Sequence, residues 1–271
     1  MRIVSLNAWG GACWPELAAW LPGCGADVLC LQEVIAPVAP GTPAWLRYVD
    51  PWRDLAQRGD LVADVSAALP GFRSWFSPAA RGPLTDDRGA TWITDHGLGL
   101  WTAPHLAVTG ARSTFIHGAF RADGWGEEPV PRVMQIARLH VPGLAPILVA
   151  QFHGLRDAAG KGDTPARQGQ TDRVFAALNA MRRPGDVVVL CGDFNLLPDS
   201  ALFARARAEG LTDLVTAGGH TDTRTAIYTK PVRYADYLLV SDPALVRGFA
   251  LPATPLVSDH RPLILDLAPP G

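Results

Sequence analysis

The stretch Val187-Val188-Val189-Leu190-Cys191-Gly192-Asp193-Phe194-Asn195 carries more structural information than any other part of this chain. Its apolar first half is typical of a strand that is buried on both faces, and the glycine lets the backbone turn closely after it. Asp193 and Asn195 are two residues apart, which puts a carboxylate and an amide on the same side of an extended backbone. The pair suits a hard divalent cation with a bound phosphate, but an Asx turn after a strand gives the same pattern.

Polar side chains also stand at the ends of the other strand patterns. Three apolar runs, 3–6, 27–34 and 147–152, end in or beside a polar residue, and the strand predicted over 236–241 begins with a carboxylate. An Asp-His pair comes just before the closing strand at 263–267. The strand-terminal polar residues are Asn7, Glu33, His153, Asp193, Asn195, Asp236, Asp259 and His260.

The chemistry of this set indicates a metal. All but the two histidines offer carboxylate or amide groups, and no Cys or His cluster accompanies them, so Mg²⁺ or Mn²⁺ is favoured over structural zinc. A divalent metal with two histidines suits phosphoester hydrolysis by activated water. The sequence has no nucleophile elbow, P-loop or dinucleotide-binding glycine motif.

The composition is that of a globular chain. With 271 residues and 48% hydrophobic content, the chain can bury a large core, and one domain over residues 1–271 is predicted. The formal net charge of −2 gives no general attraction to a polyanion, which weakens a nucleic-acid partner without excluding it. The four cysteines lack CxxC spacing, and neither a signal peptide nor a long apolar run is recognisable. We therefore expect a reduced, cytoplasmic monomer without a membrane partner.

Local patterns give further expectations. Residues 36–51 are rich in proline and predict an irregular excursion, after which Asp50-Pro51 predicts the start of an amphipathic helix that ends near Leu69. Residues 81–88 predict a polar loop, and residues 221–228 predict a strand. Alternating patterns up to residue 141 predict that the first half of the chain forms one sheet with helices on one face.

Six short motifs occur in a fixed order along nearly the whole chain. They are Leu6-Asn7, Leu31-Gln32-Glu33-Val34, Phe152-His153-Gly154, Gly192-Asp193-Phe194-Asn195, Asp236-Tyr237 and Ser258-Asp259-His260-Arg261-Pro262. In this order they resemble the endonuclease/exonuclease/phosphatase superfamily, which includes pancreatic-type deoxyribonucleases, abasic-site endonucleases, inositol polyphosphate 5-phosphatases and bacterial sphingomyelinases. The resemblance implies an α/β fold of four layers, αββα, in which two mixed β-sheets pack face to face under covering helices.

The resemblance also implies how a metal would be held. Glu33 would bind the principal metal, with Asn7 beside it and Asp259 near a second metal position. Several nucleases of the superfamily have an acidic residue two positions after the first Asn, whereas this chain has Trp9 there. The chain therefore departs from the pattern beside Asn7, at a position linked to the second metal.

The remaining motif residues would act on the water and the phosphate. Asp193 would position or deprotonate the attacking water, and Asn195 would help to hold the water and the phosphate. His153 and His260 would donate hydrogen bonds to phosphoryl oxygens, and Asp236 would orient and charge His260. The implied reaction is in-line attack of water on phosphorus, with the developing charge offset by metal and imidazolium.

The motifs do not fix the substrate, because all branches of the superfamily share them. Five basic residues flank the motifs and predict a pocket for a second phosphate or another anionic group, although surface charge explains each of them equally simply. A small phosphorylated molecule is therefore the favoured substrate. A nuclease acting on DNA or RNA is the first alternative, and a catalytically silent binding module is the second. The five basic residues are Arg156, Lys161, Arg167, Lys230 and Arg233.

Overall fold

The chain forms two β-sheets with helices beside them, as seen in a computed structural model that describes residues 1–50, 53–125, 129–157 and 160–268. The strands are β1 (Arg2–Asn7), β2 (Val28–Pro37), β3 (Trp45–Asp50), β4 (Arg53–Arg58), β5 (Arg73–Thr85), β6 (Thr91–Thr102), β7 (Ala107–His117), β8 (Arg132–His140), β9 (Ile147–Phe152), β10 (Val187–Asp193), β11 (Thr212–Asp213), β12 (Asp236–Val240), β13 (Val246–Ala250) and β14 (Leu263–Leu267). The helices are α1 (Trp14–Trp20), α2 (Leu61–Ala68), α3 (Pro165–Met181), α4 (Ala201–Ala208) and α5 (Leu214–Ala217).

Both sheets are mixed. The first has the strand order β13-β14-β1-β2-β6-β5-β3-β4, and the second has the order β11-β12-β10-β9-β8-β7. Each contains one parallel pair, β1 with β2 and β9 with β10, flanked by antiparallel neighbours. Strands β1 and β2 contact β10 across the interface between the sheets. The central strands of the two sheets therefore lie against each other.

Helices on the outer faces complete four layers. Leu17 of α1 and Leu61 and Val65 of α2 are fully buried in a cluster with β1 and β2. Val174 and Phe175 of α3 are fully buried in the large core cluster that contains the strands of the second sheet. The predicted four-layer sandwich is confirmed. Among the described helices, none is both long and apolar enough to cross a membrane.

The proline-rich region after β2 is more regular than the sequence predicted. Strands β3 and β4 form an antiparallel hairpin, and α2 begins only at Leu61, where the Asp60 side chain accepts a hydrogen bond from the Ala63 amide at 2.9 Å. The predicted irregular excursion and the helix start at Asp50 were wrong, because strand β4 lies at a sheet edge and its polar sequence resembles an exposed helix face. Pro51 lies outside the described residues.

Three other expectations were wrong. Strand β5 continues to Thr85 and pairs with β6, so the predicted polar loop begins later. Residues 221–228 form no strand and contribute only an isolated bridge between Arg224 and His260. Strands β7 and β8 belong to the second sheet, because an alternating pattern does not tell which sheet a strand joins.

A ladder of three glutamines joins the two sheets beneath the strand ends. Gln32 Nε2 of β2 donates to Gln151 Oε1 of β9 at 2.8 Å, and Gln151 Nε2 donates to Gln135 Oε1 of β8 at 2.8 Å. All three side chains are fully buried. Buried amides are costly without partners, so the ladder favours a single alignment of one sheet on the other.

Candidate active site

Polar side chains from both sheets meet at the edge where β1, β9 and β10 end. Asn7 is the last residue of β1, and Asp193 is the last residue of β10. Asp236 opens β12 directly opposite Asp193, and His260 comes just before β14, which runs antiparallel to β1. Hydrogen bonds and close contacts connect all eight strand-terminal residues predicted from the sequence. We call this group the strand-end site.

Asn7 links the first sheet to the second. Its Nδ2 donates to Glu33 Oε1 and to Asp193 Oδ2, both at 3.0 Å. Its Oδ1 accepts the backbone amide of Trp9 at 2.9 Å. Because Asn7 is fully buried and bonded at both ends of its amide, it holds the two carboxylates at a fixed separation.

Three residues of this region have left-handed backbone conformations. Trp9, Glu33 and Asn195 have φ values of 52°, 54° and 53°, which are unfavourable for residues with a side chain by about 1 kcal/mol each. Glu33 lies where the pairing of β2 with β6 shifts register between Leu31 and Val34. A bulge of this kind changes the direction of a side chain, and here the Glu33 carboxylate meets Asn7 Nδ2. The rest of the fold maintains this strain at Glu33 and Asn195, whose side chains lie in the site, and at Trp9, whose backbone amide binds Asn7.

His153 follows β9 and faces two residues that follow or end β10. Its Nε2 lies 3.2 Å from Asn195 Nδ2 and 3.6 Å from Asp193 Oδ2. The Asn195 backbone amide donates to Asp193 Oδ1 at 3.0 Å. Gly154 permits this close approach, because a Cβ at that position would lie 2.0 Å from the carbonyl oxygen of Phe194.

Asp236 and His260 form a buried pair. His260 Nδ1 donates to Asp236 Oδ1 at 2.8 Å and lies 2.9 Å from Oδ2, which also accepts a hydrogen bond from Thr223 Oγ1 at 2.8 Å. The other ring nitrogen, Nε2, lies 3.6 Å from Asp193 Oδ2. The pair therefore presents Nε2 of the imidazole to the centre of the site.

The two histidines differ in their protonation. Burial, reinforced by the charge of Arg132, lowers the pKa of His153 well below its usual range, so this imidazole is neutral. Burial alone would lower the pKa of His260, but carboxylates led by Asp236 outweigh it and raise that pKa. Burial alone would raise the pKa of Asp193, but its cationic neighbours, led by His260, hold that pKa below its usual range. The site thus contains an ionised Asp193 facing a readily protonated His260.

Asp259 offers an oxygen that accepts no hydrogen bond within the described residues and lies 3.6 Å from His260 Nε2. Its Oδ1 is buried and accepts no hydrogen bond, while its Oδ2 accepts one from Arg224 Nη1 at 2.8 Å. Burial raises the pKa of this carboxyl. A buried carboxylate oxygen without a partner is costly, and a bound cation removes that cost.

A more compact group of possible metal ligands is already hydrogen-bonded within the protein. Ligand atoms of Asp193, Asp236 and His260 all lie within 4.8 Å of one another. The Asp236 carboxylate, however, is engaged by His260 through both of its oxygens. Glu33 and Asp259 are therefore the better candidates to hold a metal, and their carboxylate oxygens suit a hard divalent cation.

The predicted basic pocket is only partly assembled. Lys161 Nζ donates to the carbonyl oxygen of Tyr234. Burial lowers the pKa of Lys161, and the opposing effect of Asp193 shows that the ammonium group lies near the strand-end site. Arg156 and Lys230 are exposed.

Arg167 and Arg233 bind the protein's own backbone, which corrects their assignment to that pocket. Arg167 is 2% exposed, and its guanidinium donates to the carbonyl oxygens of Gly162 and Leu155. Arg233 donates to three carbonyl oxygens within residues 224–228. Both side chains bind carbonyl oxygens of the loops that flank the site, and only Nε of Arg167 forms no hydrogen bond within the described residues.

No sequence motif identified Thr223 and Arg224, which the structure places in the site. Thr223 Oγ1 binds the carboxylate of Asp236, and Arg224 Nη1 binds that of Asp259. Both residues lie in the segment for which a strand was predicted, and their partners are distant in the sequence. The sequence held no signal for them, because only the folded loop brings them to the carboxylates.

Comparisons with known proteins agree with this fold. A family model described as the endonuclease/exonuclease/phosphatase family matches residues 4–260. No curated protein matches the chain. Among solved structures, an endonuclease/exonuclease/phosphatase from Beutenbergia cavernae is 20% identical and covers 98% of this chain and 71% of its own, with a TM-score of 0.69.

Two further solved structures carry more specific names. A mannosyl-6-phosphatase from Bacteroides thetaiotaomicron is 13% identical over 99% of both chains, with a TM-score of 0.64. The human Nocturnin catalytic domain with a bound sulfate anion is 19% identical and covers 99% of this chain and 93% of its own, with a TM-score of 0.62. At these identities the likeness shows a shared fold and nothing finer.

Proposed function

Because this chain belongs to the endonuclease/exonuclease/phosphatase family, whose members hydrolyse phosphoester bonds, we propose that it is a divalent-metal-dependent phosphoesterase acting on a small phosphorylated molecule. The observation that carries the proposal is the meeting of Asp193, the Asp236 and His260 pair, and Glu33 at one sheet edge. In-line attack of water on phosphorus needs a carboxylate for the water, a cationic donor for the phosphoryl oxygens and a metal site.

The residues divide the chemistry between them. Asp193, whose pKa is lowered, stays ionised and orients the attacking water through a hydrogen bond. His260, held by Asp236, donates from Nε2 to a phosphoryl oxygen. A Mg²⁺ or Mn²⁺ ion bound by Glu33 and Asp259 would supply the charge that activates water and offsets the phosphoryl charge. The water oxygen bonds to phosphorus, the ester P–O bond breaks, and the leaving oxygen takes up a proton.

Charge supports a small substrate over a nucleic acid. A long polyanion is held by many separate phosphate contacts, which require an extended basic surface. The net charge of this chain is −2, and the flanking arginines Arg167 and Arg233 are bound within the protein. One structural relative is, by its name, a mannosyl-6-phosphatase, which is consistent with a small phosphate ester.

Hydrolysis assays with purified protein test this proposal. The substrates are p-nitrophenyl phosphate, bis-p-nitrophenyl phosphate, a panel of small phosphometabolites and supercoiled plasmid DNA, each with Mg²⁺, Mn²⁺ or EDTA. Asp193→Asn, which removes the charge and keeps the shape, is the inactive control. We expect metal-dependent turnover of one or a few small esters that the variant abolishes.

Other outcomes would change the assignment. Plasmid nicking that needs both the metal and Asp193 would favour a nuclease and contradict the small-molecule substrate. No turnover of any substrate, with metal binding intact, would favour the catalytically silent binding module.

A further inference from the structure

Arg224 places a buried cation inside the strand-end site. Its side chain is 6% exposed, and its Nη1 donates to Asp259 Oδ2 at 2.8 Å and contacts His260 Nε2. A guanidinium remains protonated at any working pH, so this positive charge is permanent. The motif residues of the proposed function assign Arg224 no role.

Two other arginines hold the backbone of Arg224 in place. The carbonyl oxygen of Arg224 accepts hydrogen bonds from Arg233 Nη2 at 3.1 Å and from Arg261 Nε at 2.8 Å. Asp222 pairs with both arginines, at 2.9 and 2.8 Å, and accepts the Arg224 amide at 2.8 Å. The Tyr228 ring lies 4.2 Å from Arg224 Cζ and supports the guanidinium plane. The guanidinium is therefore preorganised before any ligand binds.

One edge of this guanidinium forms no hydrogen bond within the described residues. Nη1 makes the contacts to Asp259 and His260, whereas Nε is buried without a partner and Nη2 donates to no protein group. A buried N–H without a partner is costly, and a ligand oxygen bound there would remove that cost. Nε and Nη2 together are the edge with which arginine binds two oxygens of one phosphate.

We propose that Arg224 is a catalytic residue that contacts two non-bridging oxygens of the phosphoryl group and selects dianionic phosphomonoesters. The inference rests on the proposed function, since it names the substrate class of the same site. A monoester dianion carries one more negative charge than a diester, so a permanent cation at contact distance stabilises it more. Nη1 of the same guanidinium contacts His260 Nε2, and because Nη1 can only donate, Nε2 accepts in this contact. His260 must therefore leave this contact before Nε2 can donate to a phosphoryl group beside Arg224.

Kinetics on two matched esters test the selection. Wild type, Arg224→Lys and Arg224→Ala are assayed on p-nitrophenyl phosphate and bis-p-nitrophenyl phosphate with Mg²⁺ or Mn²⁺. We expect Arg224→Ala, which removes the charge, to lose on the order of 10²-fold in kcat/KM on the monoester and about ten-fold less than that on the diester. Arg224→Lys keeps the charge and should retain the preference for the monoester. Arg138→Met is the matched control, because it breaks an Arg-Asp pair of 2.7 Å beside the other end of β10 and keeps both rates.

Binding of inorganic phosphate gives a readout that does not depend on turnover. Calorimetry is performed on the same proteins in EDTA and in Mg²⁺. Wild type and Arg138→Met should bind phosphate, and Arg224→Lys should bind it about ten-fold more weakly or worse. Added guanidinium ion should restore part of the affinity of Arg224→Ala, because it can occupy the space that the side chain leaves.

The outcomes separate this contact from a structural role and from the proposed function. Equal losses on the two esters, with a lower melting temperature and unchanged phosphate affinity, would overturn the contact. Phosphate binding that depends on Arg224 in a protein that hydrolyses no ester would uphold the contact and contradict the enzymatic function. If Arg224→Ala does not fold, Arg224→Gln removes the charge with a side chain of similar polarity and decides the result in its place.

Discussion

The two ends of the central strands contain the same residue types but differ in how those residues are paired. At the end that forms the strand-end site, Asp193 and Asp259 are buried near other carboxylates, and Asp259 Oδ1 accepts no hydrogen bond from the described residues. At the opposite end, Asp186 precedes β10 and binds Arg138 at 2.7 Å, and Asp266 of β14 binds Arg2 at 2.8 Å. At the opposite end each carboxylate has an arginine partner, whereas at the site end Asp193 accepts hydrogen bonds from amides and Asp259 Oδ1 accepts none.

This difference teaches that pairing distinguishes a functional carboxylate from a structural one. Asp186 and Asp193 bracket the same strand, and both are buried. Arg138 compensates the charge of Asp186, so that pair contributes to folding. The charge of Asp193 is balanced by His260 and by the cations Arg224 and Lys161, none of which forms a hydrogen-bonded pair with it, an arrangement that favours binding of water, metal or phosphate over stability.

The largest effect is expected when one aspartate is replaced at each end of β10. Asp193→Asn should lower kcat on the best substrate by a factor on the order of 10²–10³, because the water loses its charged partner. Its melting temperature should be unchanged or higher, since one of several close carboxylates is removed. Asp186→Asn is the control and should lower the melting temperature while kcat persists. Similar losses of kcat in both variants would break the comparison.

The next effect concerns stability at the paired end. Arg138→Met should lower the free energy of unfolding at neutral pH, because it leaves the Asp186 carboxylate, whose side chain has no exposed surface, without its counter-ion.

The same variant predicts a pH dependence with a definite sign. Burial would raise the pKa of Asp186, but the hydrogen bond from Arg138 outweighs it and the folded-state pKa is lowered. The stabilisation is therefore complete above the unfolded-state pKa of about 4 and is lost as the pH falls through the lower folded-state value. Urea titrations from pH 7 to pH 3 check this, and a difference from wild type that grows toward acid would contradict it.

A smaller effect is expected for metal affinity at the site end. Glu33→Gln should weaken Mn²⁺ binding by at least about ten-fold, measured by electron paramagnetic resonance, because a carboxylate ligand becomes a neutral amide. Glu209→Gln is the control, since Glu209 pairs with Arg205 on α4 and lies outside the site. Unchanged Mn²⁺ affinity in Glu33→Gln would remove Glu33 from the metal site.

The smallest effect is expected for the exposed ion pair at the end of the strands opposite the strand-end site. Arg2 and Asp266 are 39% and 38% exposed, so Arg2→Met should cost less than about 1 kcal/mol, and less still at high salt. Thermal unfolding at low and high ionic strength measures this difference. A loss as large as that of Arg138→Met would show that pairing at this end matters irrespective of burial.

The inner strands of both sheets, and the polar residues at their ends, were predicted from the sequence. Buried strands such as β9 and β10 are continuous apolar runs, and a polar residue directly after such a run is visible without a structure. The motif order then predicted the four-layer sandwich. The hairpin of β3 and the edge strand β4 was not predicted, because exposed strands carry polar residues and lack that signal.

The residues that support the site could not be predicted from the sequence, for a different reason. Thr223 and Arg224 lie in a loop whose shape depends on Arg233, Arg261 and long-range carbonyl contacts. Arg167 and Arg233 were assigned to the substrate because they are basic and close in sequence to motifs. Whether a basic side chain meets a carbonyl or a ligand depends on the folded loop, and no local pattern records it.

The glutamine ladder has a mechanical consequence for the enzyme. An apolar interface alone resists sliding weakly. If one sheet moved along the other, however, Gln32 would separate from Gln151, and two buried amides would lose their hydrogen bond. Gln32 precedes Glu33 in the first sheet, and Gln151 lies two residues before His153 in the second. The ladder therefore fixes the position of Glu33 relative to His153. A change in the surrounding loops would then leave the alignment of the strand-end residues unchanged.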